Sequence, residues 1–191
     1  MKILHYTLGL PPYRSGGLTK YSQDLMLIQK QNGHEVFLLF PGSINYKYPK
    51  TNIHFSKIWN GINVYEIKNP LPVPLLYGIK EPNSFINKVN VDIEDFIKFI
   101  ENVSPDIIHI HTLMGLPIEY IQIAKEHKIK LVYTTHDYFG LCPKVNFMDW
   151  NNNFCEMNNA EKCFKCNRNA PSTIFLRVRN LKLLTLLKKW K

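Results

Sequence analysis

Four cysteines, Cys142, Cys155, Cys163 and Cys166, crowd into one short stretch, and no others occur in the chain. A disulfide-stapled secreted domain spreads its cysteines through the fold, so this clustering reads as one local site. One C-x-x-C pair with two further thiols nearby suits tetrahedral zinc, with four thiolates pinning a segment that has little core of its own. Lys162 and Lys165 alongside favour ionised thiolates. Zinc ribbons usually carry two C-x-x-C knuckles, so loosely paired thiols, a disulfide or an iron–sulfur site stay open as alternatives. Gly16-Gly17 is the second candidate. Between a strand and a helix, twin glycines let backbone N–H groups approach an anion, and the helix N-terminus adds a favourable partial charge. A tight turn that merely tolerates glycine is the plainer alternative. The loop lacks G-x-G-x-x-G and the Lys-Ser/Thr of a P-loop, which disfavours a dinucleotide dehydrogenase or an NTPase. Two histidines, His109 and His111, stand two apart on a strand and point to one face. They can bind metal in principle, but no third ligand lies nearby in sequence. Hydrogen-bonded core residues are the expectation, and no metal is assigned there.

The elements that must position these residues follow an α/β rhythm. Lys2 to Leu8 reads as a first strand, and the loop from Gly9 to Gly17 carries Gly and Pro. Leu18, Tyr21, Leu25 and Ile28 recur at helical spacing, with Gly33 placed as a helix terminator. Glu35 to Phe40 is a nearly unbroken apolar run stopped by Pro41-Gly42, the mark of a parallel strand buried on both faces. Together these make a βαβ unit. Residues 43–90 are hard to place, although Ile62 to Ile67 suits a strand and Pro70, Pro72 and Pro74 forbid regular structure after it. Ile93, Phe96, Ile97, Ile100 and Val103 form one helix face ended by Pro105. Asp106 to His111, Pro117 to Lys128 and Lys130 to Thr135 read as strand, helix and strand. The expected fold is therefore a doubly wound parallel sheet. Residues 137–170 interrupt it as a Cys-bearing, Asn-rich insertion. A last helix starts at Pro171 or Ser172 and carries Ile174, Val178, Leu181, Leu184 and Leu187.

Composition narrows the partners. At 191 residues the chain suits one α/β domain, and 45% hydrophobic residues are a globular value. The net charge of +9 is local: residues 1–161 balance 15 basic against 15 acidic side chains, while residues 162–191 hold nine basic and none acidic. A neutral domain with a basic end speaks against nucleic acid and for an anionic membrane surface. Trp190 among the basic residues fits an interfacial helix, and a helix packed in the layer around the sheet is the plainer alternative. No run approaches the about 18 apolar residues of a membrane span, and no signal peptide precedes the first strand, so the cytoplasm is expected, with peripheral contact at the inner membrane face.

Several segments, in order, resemble the N-terminal half of a GT-B-fold glycosyltransferase of family 4. They are Pro11-Pro12-x-x-x-Gly16-Gly17-x-x-x-Tyr21-x-x-Asp24-Leu25, Gly33-His34-Glu35-Val36, Phe40-Pro41-Gly42, Pro105-Asp106-Ile107-Ile108-His109-Ile110-His111 and Thr135-His136-Asp137-Tyr138, then Leu141-Cys142-Pro143 as in a cysteine-bearing subgroup. The resemblance implies a Rossmann-like domain over residues 1–170, with residues 171–191 leading toward an absent C-terminal domain. It implies a retaining enzyme, of hexosyltransferase type, that needs no catalytic metal. Such an enzyme moves a sugar from a nucleotide-sugar donor to a glycan or lipid-linked acceptor in surface polysaccharide synthesis. By position, His136 would sit by the transferred sugar as the catalytic-site residue, Gly16 and Gly17 would face the donor diphosphate and the acceptor, and Tyr21 and Asp137 would complete the binding wall. Open α/β sheets bind ligands at such strand ends, so physics and family agree. In relatives the cations on the diphosphate come from the C-terminal domain, so this half alone is expected to be inactive. A stand-alone zinc-containing binding module with a basic tail is the competing function, and a hydrolase or epimerase of the same architecture is a third.

Overall fold

The computed structural model describes residues 1–45, 47–80, 90–156 and 159–179. Six strands form one sheet: β1 (Lys2–Tyr6), β2 (Glu35–Pro41), β3 (Asn52–Trp59), β4 (Ile62–Lys68), β5 (Ile107–Ile110) and β6 (Lys130–Tyr133). Their spatial order is β3-β4-β2-β1-β5-β6. All neighbours pair in parallel except β3, which runs antiparallel to β4. The doubly wound α/β sheet expected from the apolar runs is present, and β3 is an addition to it. No strand was expected at Asn52–Trp59, because this outer strand is largely exposed and lacks the buried alternation that marks its neighbours.

Helices cover both faces. On one side lies α1 (Gly17–Gln31), whose Met26 packs with Val36, Leu38, Ile62 and Val64. On the other lie α2 (Ile93–Val103) and α3 (Ile118–Glu126). There Phe96, Phe99, Ile100, Val103, Tyr120 and Ile123 meet Leu4, Tyr6, Phe37, Leu39, Ile108 and Ile110. The division follows from the period of two along a strand: Leu4 and Tyr6 face α2, so His5 between them must face α1. Asp92 caps α2 by accepting from the Asp95 backbone N–H at 3.2 Å, and Ser104 ends the helix in the left-handed conformation just before Pro105.

The insertion carries one short helix, α4 (Ala160–Cys166), and the chain then enters α5 (Thr173–Arg179). Ser172 stands before α5 as the sequence suggests, its hydroxyl accepting from the Phe175 N–H at 3.2 Å. Leu176 is fully buried, and the Lys80 N–H donates to the Pro171 carbonyl, so α5 packs against the segment after β4. Leu181, Leu184, Leu187 and Trp190 lie outside the described residues, as do residues 81–89. No helix among the described residues is long and apolar enough to cross a membrane.

Leu38 is fully buried at the centre of β2. Leu38→Ala should lower unfolding stability by about 2–5 kcal/mol in urea titration, whereas Ile58→Ala on exposed β3 should stay within about 0.5 kcal/mol. Similar losses at both positions would contradict the assigned centre of the core.

Candidate functional site

The loop after β1 delivers Gly16 and Gly17 to the start of α1. Gly16 has φ 113° and ψ 177° and is the residue before the helix, a conformation a side chain would strain. A Cβ added to Gly16 or Gly17 would meet nothing within 4 Å. The glycines are therefore not demanded by packing against the protein, and the space a side chain would occupy is open. No acidic side chain occupies that first turn. Both properties suit an approaching anion.

One turn further along, the Tyr21 ring lies edge-on to His136, with centroids 4.9 Å apart. It also reaches His111, at 5.9 Å. Gly17, Tyr21 and His136 thus share one end of the sheet, at the C-terminal ends of the parallel strands. Asp137 follows on the loop after β6, where its Oδ1 accepts from the Phe139 N–H at 2.8 Å and turns the chain. Burial lowers the pKa of His136, and the neighbouring Asp137 carboxylate opposes that shift.

Behind His136 runs a row of imidazoles. The pairing of β1 with β5 sets His5 opposite His109, and His111 follows at the end of β5. His5 is 0% exposed, so both its ring nitrogens need partners. Its Nε2 meets the Gln29 Oε1 of α1 at 2.7 Å, and its Nδ1 meets His111 Nε2 at 3.0 Å. His111 Nδ1 in turn meets His136 Nε2 at 3.3 Å. An amide oxygen only accepts, so the tautomers follow in sequence. His5 donates from Nε2 to Gln29, His111 donates from Nε2 to His5, and His136 donates from Nε2 to His111. His136 is left with an Nδ1 lone pair outside the row. His109 stands beside the chain and pairs its Nε2 with Thr134 Oγ1 at 2.8 Å.

Ligand nitrogens of His5, His109 and His111 all lie within 4.8 Å of one another. The sequence pointed to the pair on β5 but not to His5, which arrives from a strand about a hundred residues earlier. Proximity here is not chelation. The His5 and His111 rings are 16° from parallel with centroids 5.3 Å apart, only a ring's width more than their 3.0 Å nitrogen separation. Their nitrogens point at each other, as in a hydrogen bond, rather than at a common third point. Burial holds both groups neutral. It lowers the pKa of His5 to about 4 despite the Gln29 bond, and that of His111 to about 2 with help from His109, His5 and His136.

The cysteines form a second cluster. Cys142, Cys155, Cys163 and Cys166 line one small cavity with Phe147, Met148 and Lys162. Cys163 and Cys166 sit one turn apart on α4, which Asn159 caps by accepting from the Lys162 N–H at 2.8 Å. Burial raises the pKa of Cys163, and its proximity to Cys142, Cys155 and Cys166 raises it further. The thiols therefore converge from three separate segments.

The family profile of Glycosyltransferase Family 4 matches residues 15–153. The chain is also 27% identical over 139 residues to a Klebsiella pneumoniae protein named "Uncharacterized 42.6 kDa protein in cps region". That match covers 69% of this chain and 35% of the relative, so the chain corresponds to about a third of that protein's length.

The buried imidazoles make stability depend on pH. Their folded pKa values lie below the ordinary 6.5, so the unfolded chain binds protons more readily. Stability should be intact above pH 6.5 and fall as the pH drops toward 4. In denaturant titrations at a series of pH values over that window, His5→Gln should flatten the fall by up to about 1.4 kcal/mol per pH unit. An unchanged slope would mean that folded His5 is already protonated.

Proposed function

The chain belongs to Glycosyltransferase Family 4, and from that membership we propose that it forms the acceptor-side half of a retaining glycosyltransferase. It moves a hexose from a nucleotide-sugar donor to a glycan or lipid-linked acceptor during surface polysaccharide synthesis. The observation that carries this reading is the grouping of Gly16, Gly17, Tyr21 and His136 at one end of a parallel sheet. The origin of the Klebsiella relative in a cps region supports the polysaccharide setting. A second α/β domain supplies the facing wall of the cleft and the cationic side chains on the donor diphosphate.

The chemistry asks for two things. Leaving-group departure builds negative charge on the diphosphate, and the open first turn of α1 offers N–H groups to it. The sugar gains oxocarbenium character, so its hydroxyls must be held in place. His136, with its Nε2–H engaged by His111, offers the Nδ1 lone pair to such a hydroxyl. Tyr21 packs against its ring and limits its rotation. In the full two-domain enzyme, His136→Ala should lower kcat/KM roughly tenfold to a hundredfold while leaving the far-UV circular dichroism unchanged. Wild-type transfer by the variant would remove His136 from the site.

The insertion is held by structural zinc on Cys142, Cys155, Cys163 and Cys166. The donor set fits: four soft thiolates facing one cavity suit tetrahedral zinc, and mutual repulsion between thiolates is relieved by a dication. Elemental analysis of purified protein should give about one zinc per chain, lost in Cys163→Ser. Metal-free protein with an intact insertion would refute it. The basic residues of the C-terminal segment add peripheral contact with an anionic inner membrane face.

A further inference from the structure

Two arginines, Arg14 and Arg179, form no ion pair among the described residues. Arg14, between β1 and α1, is only 9% exposed, yet its Nε and Nη2 have no hydrogen-bond partner. Its guanidinium lies 4.6 Å from the centroid of the Tyr13 ring, and the Tyr13 hydroxyl is itself buried, with the Arg14 side chain as a polar neighbour. Arg179 comes from α5. Its Nη2 donates to the Val73 carbonyl at 2.7 Å and its guanidinium stands 5.5 Å from the Tyr77 ring centroid, but its Nε is buried without an acceptor. Each arginine feels the other. The pKa of Arg179 is lowered first by burial and then by Arg14, and the Tyr13 hydroxyl feels both cations.

Among the described residues no carboxylate pairs with either, and the ion pairs join other groups. Glu66 is the acid near Tyr13, and it is engaged by Lys68 and the Ser43 N–H. Residues 162–191, which include α5, contain no acid. An arginine cannot shed its proton, so a buried Arg14 beside the half-buried Arg179 is penalised until an anion arrives. Guanidinium groups match the spacing of phosphate oxygens, and a phenolic hydroxyl adds a further donor.

We propose that Arg14, Arg179 and the Tyr13 hydroxyl form a binding site for a phosphate-type oxyanion. The proposal does not depend on the role given to His136. A lipid-linked acceptor and a nucleotide donor both present such a group, as a diphosphate.

The probe is inorganic pyrophosphate, followed by thermal unfolding and isothermal titration of the full chain. Wild-type protein should be stabilised by pyrophosphate and not by chloride at matched ionic strength. Arg14→Met and Arg179→Met should each weaken binding roughly tenfold or more. Without ligand, Arg14→Met should melt no lower than wild type, because it removes an uncompensated buried charge. Tyr13→Phe, the mildest change, should bind more weakly with its fold intact. His136→Ala should keep the full pyrophosphate response, which separates this site from the transfer chemistry. Competition by uridine diphosphate would assign the donor as the source, and competition by farnesyl diphosphate the acceptor. No pyrophosphate stabilisation, or an equal response in wild type and both arginine variants, would overturn the proposal.

Discussion

A neutral imidazole with no access to water sits in the middle strand of this sheet, and its need for two hydrogen bonds organises what surrounds it. His5 is bonded on one side by Gln29 from α1 and on the other by His111 from the end of β5. An unsatisfied polar group there would cost several times what an ordinary hydrogen bond contributes. The helix, two strands and the loop after β6 are therefore fastened by polar contacts as well as by apolar packing. Through His111 the constraint reaches His136, so a residue at the C-terminal end of the sheet has its orientation decided deep in the core.

The two faces of the sheet divide the labour. The face under α2 and α3 is apolar and aromatic, with Phe96 and Tyr120 stacked at 3.9 Å and 4° from parallel. It contributes burial and rigidity. The face under α1 carries Val36, Leu38 and Met26 in its lower part and the imidazole row beside them. Polar groups on that face rise toward the C-terminal strand ends, where the loops after β1 and β6 meet.

Legibility in the sequence followed the range of the interaction. The buried runs at Glu35–Phe40 and Asp106–His111 and the helical period of Ile93 to Val103 each carry their signal within a dozen residues, and each element formed where expected. Strand β3 gave no such signal, since an exposed edge strand needs no apolar alternation and takes its hydrogen bonds from β4. Gly16-Gly17, Tyr21 and His136 were recognisable because their spacing and order resemble a family pattern. His5 and Gln29 were not. A single histidine in an apolar strand and a glutamine on a helix look ordinary until the fold sets them 2.7 Å apart.

By itself the sequence determined the alternation of strands and helices, the position of the glycine turn, the histidine pair on one face and the crowding of the thiols. These depend on periodicity and short spacing, which chain geometry translates directly into structure. Tertiary structure alone decided which histidine bonds which, and that two arginines from opposite ends of the chain influence each other with no ion pair to either among the described residues. Those outcomes depend on parallel register and on helix packing across more than a hundred residues, and no local pattern encodes such a distance.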